Sequence, residues 1–313
     1  MKITVVGTGG VGGFFGAKLF VSGQDVHFLA RGNHLKAMQQ SGLTVHAPDG
    51  DMHVPADRFA ETPSSENPAD VVFFCVKTYD TTAAARTMGP LLSKETLVIS
   101  LQNGVESEQA LQRLVETGTV YSGIAYVYWT ITAAGTITEM GDPRKILFGR
   151  LSALPANERA WAVVDTLVQG GIDAEYCTDI RLALWKKFIF ITAVGGMTAV
   201  TRLTLHEILA VPRTSALLAA AMRETEAVAR ASGIPLEPGY VDGVLEKLSR
   251  YPNETRSSLH FDLTHEKPLE IEALSGAVVR YGTHLSIPTP VHEFLYATLL
   301  PHHERHLRLR GGT

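Results

Sequence analysis

The feature that most restricts the fold is a glycine-rich turn, Gly7-Thr8-Gly9-Gly10-Val11-Gly12, set between a β-rich run at residues 3–6 and an apolar helical run at residues 11–22. A strand, a turn with this glycine spacing and a helix together form the start of a βαβ unit that cradles a dinucleotide. Gly7 permits the tight turn, Gly9 lets backbone approach a pyrophosphate, and Gly12 lets helix and strand pack closely. Thr8, Gly10 and Val11 complete the loop, and the helix N-terminus offers N–H groups and partial positive charge to phosphates. The bland alternative is a tight connection without a ligand.

The text after the turn fits that start. Further strands are predicted at residues 26–29, 71–76 and 97–100, a pattern that argues for a parallel sheet with crossover helices. Residues 43–54 read as a hairpin about Pro48-Asp49-Gly50, and Gly23 as a stop for the first helix. Residues 120–148 are β-rich around Ala134-Gly135 and Gly141-Asp142-Pro143, and read as a sheet extension made of hairpins. A helix at 157–168, stopped by Gly170-Gly171, and a strand at 174–177 complete this half. Beyond Thr178 nearly everything is helical: 180–194, apolar on almost all sides and therefore central, then 216–232, 240–248, 257–263, 270–282 and 292–300. The expected architecture is α/β, with a Rossmann-type doubly wound N-terminal domain (residues 1–178) and an all-α C-terminal domain (residues 179–313).

Composition narrows the function by exclusion. A net charge of −4 gives no support for a nucleic-acid binder. Two cysteines, Cys75 and Cys177, lie far apart without CxxC spacing, which speaks against a disulfide scaffold and fits a reducing, cytoplasmic setting. Residues 2–6 read as a strand rather than a targeting signal, and no window holds the roughly 18 uninterrupted apolar residues of a membrane span. No metal site is expected. His302-His303-Glu304-Arg305-His306 is not HExxH and reads as an exposed helix end. The basic run at 305–310 reads as solvated surface.

Dinucleotide choice is set at the end of the second strand, where an NAD enzyme usually offers a carboxylate to the ribose. Here the strand ends Leu29-Ala30-Arg31, without an acid, and the guanidinium fork of Arg31 suits the 2′-phosphate of NADP(H). An ordinary surface arginine is the competing reading.

Several blocks, in order and at matching spacing, give the chain a further likeness. They are residues 2–12 with Arg31, Cys75-Val76-Lys77, Leu101-Gln102-Asn103-Gly104, Leu184-Trp185-Lys186-Lys187, residues 257–262, Glu270-Ile271-Glu272, residues 276–280 and Pro288-Thr289-Pro290. In these the chain resembles the 2-dehydropantoate 2-reductase (ketopantoate reductase) family over nearly its whole length. The resemblance implies hydride transfer from NADPH to the keto carbon of ketopantoate, in pantothenate and coenzyme A biosynthesis. It implies that Lys187 is the general acid and Glu270 its carboxylate partner, which also reaches the cofactor. Asn103, Ser258 and Lys77 would hold substrate, Asn103 and Lys77 touching cofactor as well. Four of them have a plainer reading: Lys187 snorkelling to water, Glu270 favouring a helix start, Asn103 as a turn residue, Ser258 as a helix-start residue. Lys186 competes with Lys187, and only the likeness selects between them.

The chain departs from the family where Ile191 and Gly195 replace two asparagines along the Lys187 face, and where Thr255 and Ser275 replace two more. The implied pocket is less polar and roomier. A reductase of a different branched or bulkier 2-oxo acid therefore stands beside the ketopantoate reading, as does a non-catalytic NADP(H)-binding sensor. The expected partner is a small 2-oxo acid, with no nucleic acid and no membrane; a homodimer stays open.

Overall fold

In a computed structural model, which describes residues 1–63, 68–141 and 143–311, the chain separates into two compact units. Met1–Gln102 and Glu106–Ile180 form the first, and Asn103–Val105 with Arg181–Thr313 the second. Asp142, in the predicted turn at 141–143, lies outside the described residues.

The strands of the first unit are β1 (Lys2–Val6), β2 (Asp25–Leu29), β3 (Leu43–His46), β4 (Met52–Val54), β5 (Phe59–Ala60), β6 (Val71–Phe74), β7 (Leu97–Ser100), β8 (Thr119–Tyr126), β9 (Trp129–Ala133), β10 (Thr136–Glu139), β11 (Lys145–Gly149) and β12 (Asp173–Tyr176). Eight of them form one sheet in the order β12-β11-β8-β7-β6-β1-β2-β5. Its pairs are parallel except β8 with β11. β1 lies between β2 and β6, so chain order reverses at β1, and such a switch point opens a crevice at the carboxyl ends of the strands. The central strands β6 and β7 read Val-Val-Phe-Phe and Leu-Val-Ile-Ser and are buried throughout, as parallel strands covered on both faces must be.

The remaining strands correct the sequence reading. β9 and β10 do pair as a hairpin, but they do not extend the main sheet. They join β3 and β4 in a second sheet of order β4-β3-β10-β9, with β10 parallel to β3. The helix α1 (Gly10–Val21) touches strands of both sheets. That explains its composition: Gly12 and Gly16 allow close approach to Val5 and Phe28 of the main sheet, Gly13 allows it to Leu43 and Ile137 of the second sheet, and Phe14, Phe15 and Leu19 are buried. A helix covered on two sides needs no polar face. An ion network fixes the second sheet. Arg144 donates to the fully buried Glu139 at 2.7 Å and, through both Nη atoms, to Asp49 in the β3–β4 turn.

The first unit's helices are α1, α2 (Gly32–Ser41), α3 (Thr81–Thr87), α4 (Ser107–Gln112) and α5 (Glu158–Gln169). Asn157 caps α5 by accepting from the Ala160 amide.

The second unit is helical: α6 (Ile180–Thr201), α7 (Leu205–Ala210), α8 (Pro212–Ala231), α9 (Tyr240–Leu248), α10 (Ser258–Thr264), α11 (Ser275–Leu285) and α12 (Pro290–Gly311). α6 runs seven residues beyond the predicted end. By length and hydropathy alone it could cross a membrane, yet two-thirds of that stretch is buried within the protein. It is a core helix. Glu224 of α8 accepts from the amides of Val291 and His292 and so caps α12 from a neighbouring helix. His292 is buried against the Ala221 carbonyl, Thr225 and Ser275, and burial pushes its imidazole down to about 4.

Two further expectations change here. α11 begins at Ser275, not at residue 270, because Leu269, Ile271 and Leu274 are drawn into the core and residues 270–274 turn to admit them. His303 and His306 are not at an exposed helix end: α12 continues to Gly311 and both are buried. Among the described residues no cluster of potential metal ligands exists.

Candidate functional site

The glycine turn leaves the end of β1 at the switch point. Gly7 has φ +98°, and its backbone abuts that of Cys75 and Val76, so no side chain fits there. Gly12 lies against Gly7 Oand Val5. Gly9, in contrast, has open space where a side chain would project, and no side chain caps α1. The first amides of that helix therefore have no partner within it, the arrangement that receives an anion. The Thr8 hydroxyl is turned inward and donates to the Leu29 carbonyl at 3.1 Å, which ties the turn to β2. Arg31 follows β2 half exposed, and its guanidinium pairs with Asp80. Nothing in the β2 sequence announces Asp80, which arrives from the turn after β6.

Lys77 does not end a strand: β6 stops at Phe74, and Lys77 precedes the short helical turn Thr78–Asp80. Gln102, buried at the end of β7, donates to the Val76 carbonyl at 3.0 Å and the Thr81 hydroxyl at 2.8 Å. It so secures the loop that carries both Lys77 and Asp80. Sequence reasoning passed over Gln102, although its place between a buried strand and Asn103-Gly104 was a usable signal.

In the second unit, α6 brings Lys187 among buried side chains. Adjacent Leu184, Trp185 and Phe188 are buried, with Trp185 edge-on to both Phe188 and Tyr281. Burial pushes the Lys187 ammonium from 10.5 down to about 8, and the buried Glu270 carboxylate acts in the opposite sense. Lys187 keeps some accessible surface, so the cause is the density of protein around it rather than complete occlusion. Lys186 is occupied elsewhere. It pairs with Glu237 at 3.0 Å and lies over the Tyr240 ring. The structure thus separates two lysines that sequence alone could not.

Glu270 lies in a turn held from two directions. His303 of α12 accepts from the Leu269 amide at 3.0 Å, and His306 bonds the Lys267 carbonyl at 2.9 Å. On the other side Glu272 accepts from Tyr296 at 2.6 Å and from Arg280 at 3.2 Å. Because α11 starts five residues later, Glu270 does not serve a helix N-terminus. Asn103 and Gly104 group with this unit, and Gly104, at φ +106°, sits beside the Ala273 carbonyl. Ser257, not Ser258, caps α10: its hydroxyl accepts from the His260 amide and meets Thr198 of α6 at 2.7 Å. Ser258 opens the helix and is exposed. Ile191 and Gly195 follow Lys187 at helical spacing on one face of α6, and only Leu259, at 3.9 Å, would touch a side chain added at Gly195.

The chain as a whole has known relatives. Residues 3–153 match the family profile described as ketopantoate reductase PanE/ApbA, and residues 179–303 match the profile of its C-terminal part. The chain is 27% identical over 305 residues to a 2-dehydropantoate 2-reductase of Nostoc sp., covering 95% of this chain and 94% of the relative. A PanE/ApbA family ketopantoate reductase from Ralstonia eutropha JMP134 superposes with a TM-score of 0.89 at 30% identity, over 98% of this chain and all of the other. The fold is also that of a D-mandelate dehydrogenase solved with NADH and anilino(oxo)acetate (TM-score 0.88, 19% identity, 98% and 99% covered). With both halves matched in order, the chain belongs to the ketopantoate reductase PanE/ApbA family of oxidoreductases.

Proposed function

We propose that the protein reduces 2-dehydropantoate to pantoate with NADPH, in pantothenate and coenzyme A biosynthesis. The observation that carries this reading is Lys187: a half-buried lysine among buried apolar side chains, its ammonium pushed down to about 8, with Glu270 as its charge partner. NADPH supplies the hydride when bound. The turn at Gly7–Gly12 fits its pyrophosphate, since Gly9 is open and α1 uncapped. Arg31 exchanges its pairing with Asp80 for the 2′-phosphate, which favours NADPH over NADH.

As negative charge grows on the keto oxygen, Lys187 Nζ donates a proton to it and is recharged from water. Glu270 keeps Lys187 protonated near pH 7 against burial. Asn103 and Ser258 hold the substrate, with Lys77 at the cofactor and substrate. The first unit supplies the glycine turn, Arg31 and Lys77, and the second supplies Asn103, Ser258 and the proton donor.

One observation favours a second substrate class. Ile191 makes the Lys187 face less polar, and Gly195, where an added side chain would meet only Leu259 at 3.9 Å, leaves it less filled, which suits a bulkier or less polar 2-oxo acid. The test is loss of NADPH absorbance with ketopantoate and with a panel of branched and aryl 2-oxo acids. Turnover of ketopantoate at the highest kcat/KM supports the first reading, and preference for an aryl or long branched acid supports the second. Tight NADP(H) binding without turnover of any acid would overturn both and leave a dinucleotide sensor.

A further inference from the structure

The glycine turn has one constraint that its own chemistry does not demand. A side chain at Gly10 would overlap the indole of Trp129, whose fused-ring carbons Cδ2, Cε2 and Cε3 lie where a Cβ would stand. Gly10 is the first residue of α1, where dihedral angles are ordinary and alanine is normally welcome. Neither φ nor a ligand's approach explains this glycine. The tryptophan does.

Trp129 is placed deliberately by its surroundings. It opens β9 opposite Glu139 of β10, and Glu139 is fully buried on Arg144, which in turn grips Asp49. Gly13, one turn along α1, is likewise closed by Ile137 of β10. The second sheet therefore lies against the amino-terminal turns of α1. Taken in sequence, Gly7 is closed by Val76, Gly10 by Trp129 and Gly12 by Gly7 O, while Gly9 faces open space.

We propose that Trp129 is a wall of the pyrophosphate subsite. It is a positioning residue that leaves approach to the turn at Gly9 and keeps water from the adjoining amides of α1. Amide-to-anion hydrogen bonds strengthen as the local dielectric falls, so an apolar ring beside them raises dinucleotide affinity without a bond of its own. This rests on the dinucleotide-binding role given above.

The experiment is calorimetric titration of the full-length protein with NADP⁺, on the wild type and on Trp129→Ala, Trp129→Phe, Gly10→Ala and the double variant Gly10→Ala/Trp129→Ala, each checked for folding by its melting transition. Trp129→Ala should weaken binding about tenfold, and Trp129→Phe less. Gly10→Ala, whose Cβ would overlap the indole, should weaken it by about a hundredfold or more, and the double variant should return to within about threefold of Trp129→Ala, because removing the ring relieves the overlap. A merely structural tryptophan would give that rescue without the loss of affinity in folded Trp129→Ala. In a second readout, NADP⁺ should alter tryptophan emission in the wild type and not in Trp129→Phe, which keeps Trp161 and Trp185. Wild-type affinity in Trp129→Ala, or a double variant no better than folded Gly10→Ala, overturns the proposal. If Gly10→Ala does not fold, the two Trp129 variants and the emission change decide alone. A wild type that binds no NADP⁺ removes the cofactor reading itself, an outcome distinct from failure of the wall.

Discussion

Replacing Glu270 by glutamine isolates the electrostatic half of the Lys187 pair. Two causes set the ammonium at about 8: burial, which is the larger and lowers it, and the Glu270 charge, which raises it. Glutamine keeps the volume and removes the charge, so only burial remains. An opposite charge that acts on an ionisable group is typically worth about 1–3 pH units, which places the variant's lysine near 5–7. Reduction needs the protonated amine, so activity is full below the lysine's value and is lost as pH rises through it. For a wild-type limb at about 8, roughly three-quarters of the enzyme is active at pH 7.5; for a limb near 6.5 only about one-tenth is. The variant should therefore lose about eightfold in kcat at pH 7.5 and recover much of it at pH 5.5. The assay is NADPH oxidation at saturating 2-oxo acid from pH 5 to 10. An alkaline limb that stays near 8 in Glu270→Gln would refute the reasoning, whatever the absolute rate.

Three further outcomes follow from the same geometry. His303→Ala leaves the buried Leu269 amide without its acceptor, which should cost about 1–3 kcal/mol in denaturant unfolding. It should also lower kcat more than it weakens NADP⁺ binding, because the Glu270 turn loosens. Lys187→Met/Glu270→Gln should be at least as stable as the wild type at pH 7. Holding the ammonium from 10.5 down to about 8 disfavours the charged lysine by about 3 kcal/mol, and apolar or neutral replacement removes that cost. Since the folded value is the lower one, the unfolded chain binds the extra proton between about pH 8 and 10.5. The wild type accordingly gains stability across that window, and the double variant's relative advantage shrinks there; a double variant markedly less stable at pH 7 would count against the pair as described. Arg31→Ala should raise KM for NADPH far more than for NADH, measured side by side, and equal effects would remove its 2′-phosphate role.

The fold was legible where periodicity and punctuation agree. The turn at Gly7–Gly12, the buried runs of β6 and β7 and the glycine stop after α1 all carry local signals, and the structure realises each. Partnership was not legible. β9 and β10 pair locally as expected, but their company with β3 and β4 depends on residues some ninety positions away, and a hairpin does not name its sheet. The short α7 and the polar α2 left too little apolar periodicity to stand out. Residues 270–274 look helical by composition, and only the burial of Leu269 and Ile271 bends them. The same limit applies to the site. Lys187 and Glu270 were singled out by resemblance, whereas Asp80 at Arg31, Gln102 beneath Lys77, His303 behind Glu270 and Trp129 over Gly10 are long-range contacts between residues of ordinary local context. The histidines at 303 and 306, one turn apart, did share a face, a signal for a common role that their place near a basic tail obscured.

The most direct test of the account is Lys187→Ala followed by rapid mixing with NADPH and ketopantoate, alongside a binding titration with NADP⁺. The account predicts that hydride transfer slows by orders of magnitude while dinucleotide affinity stays within about twofold of the wild type, because the lysine serves the carbonyl and not the cofactor. Turnover near the wild-type rate would contradict it.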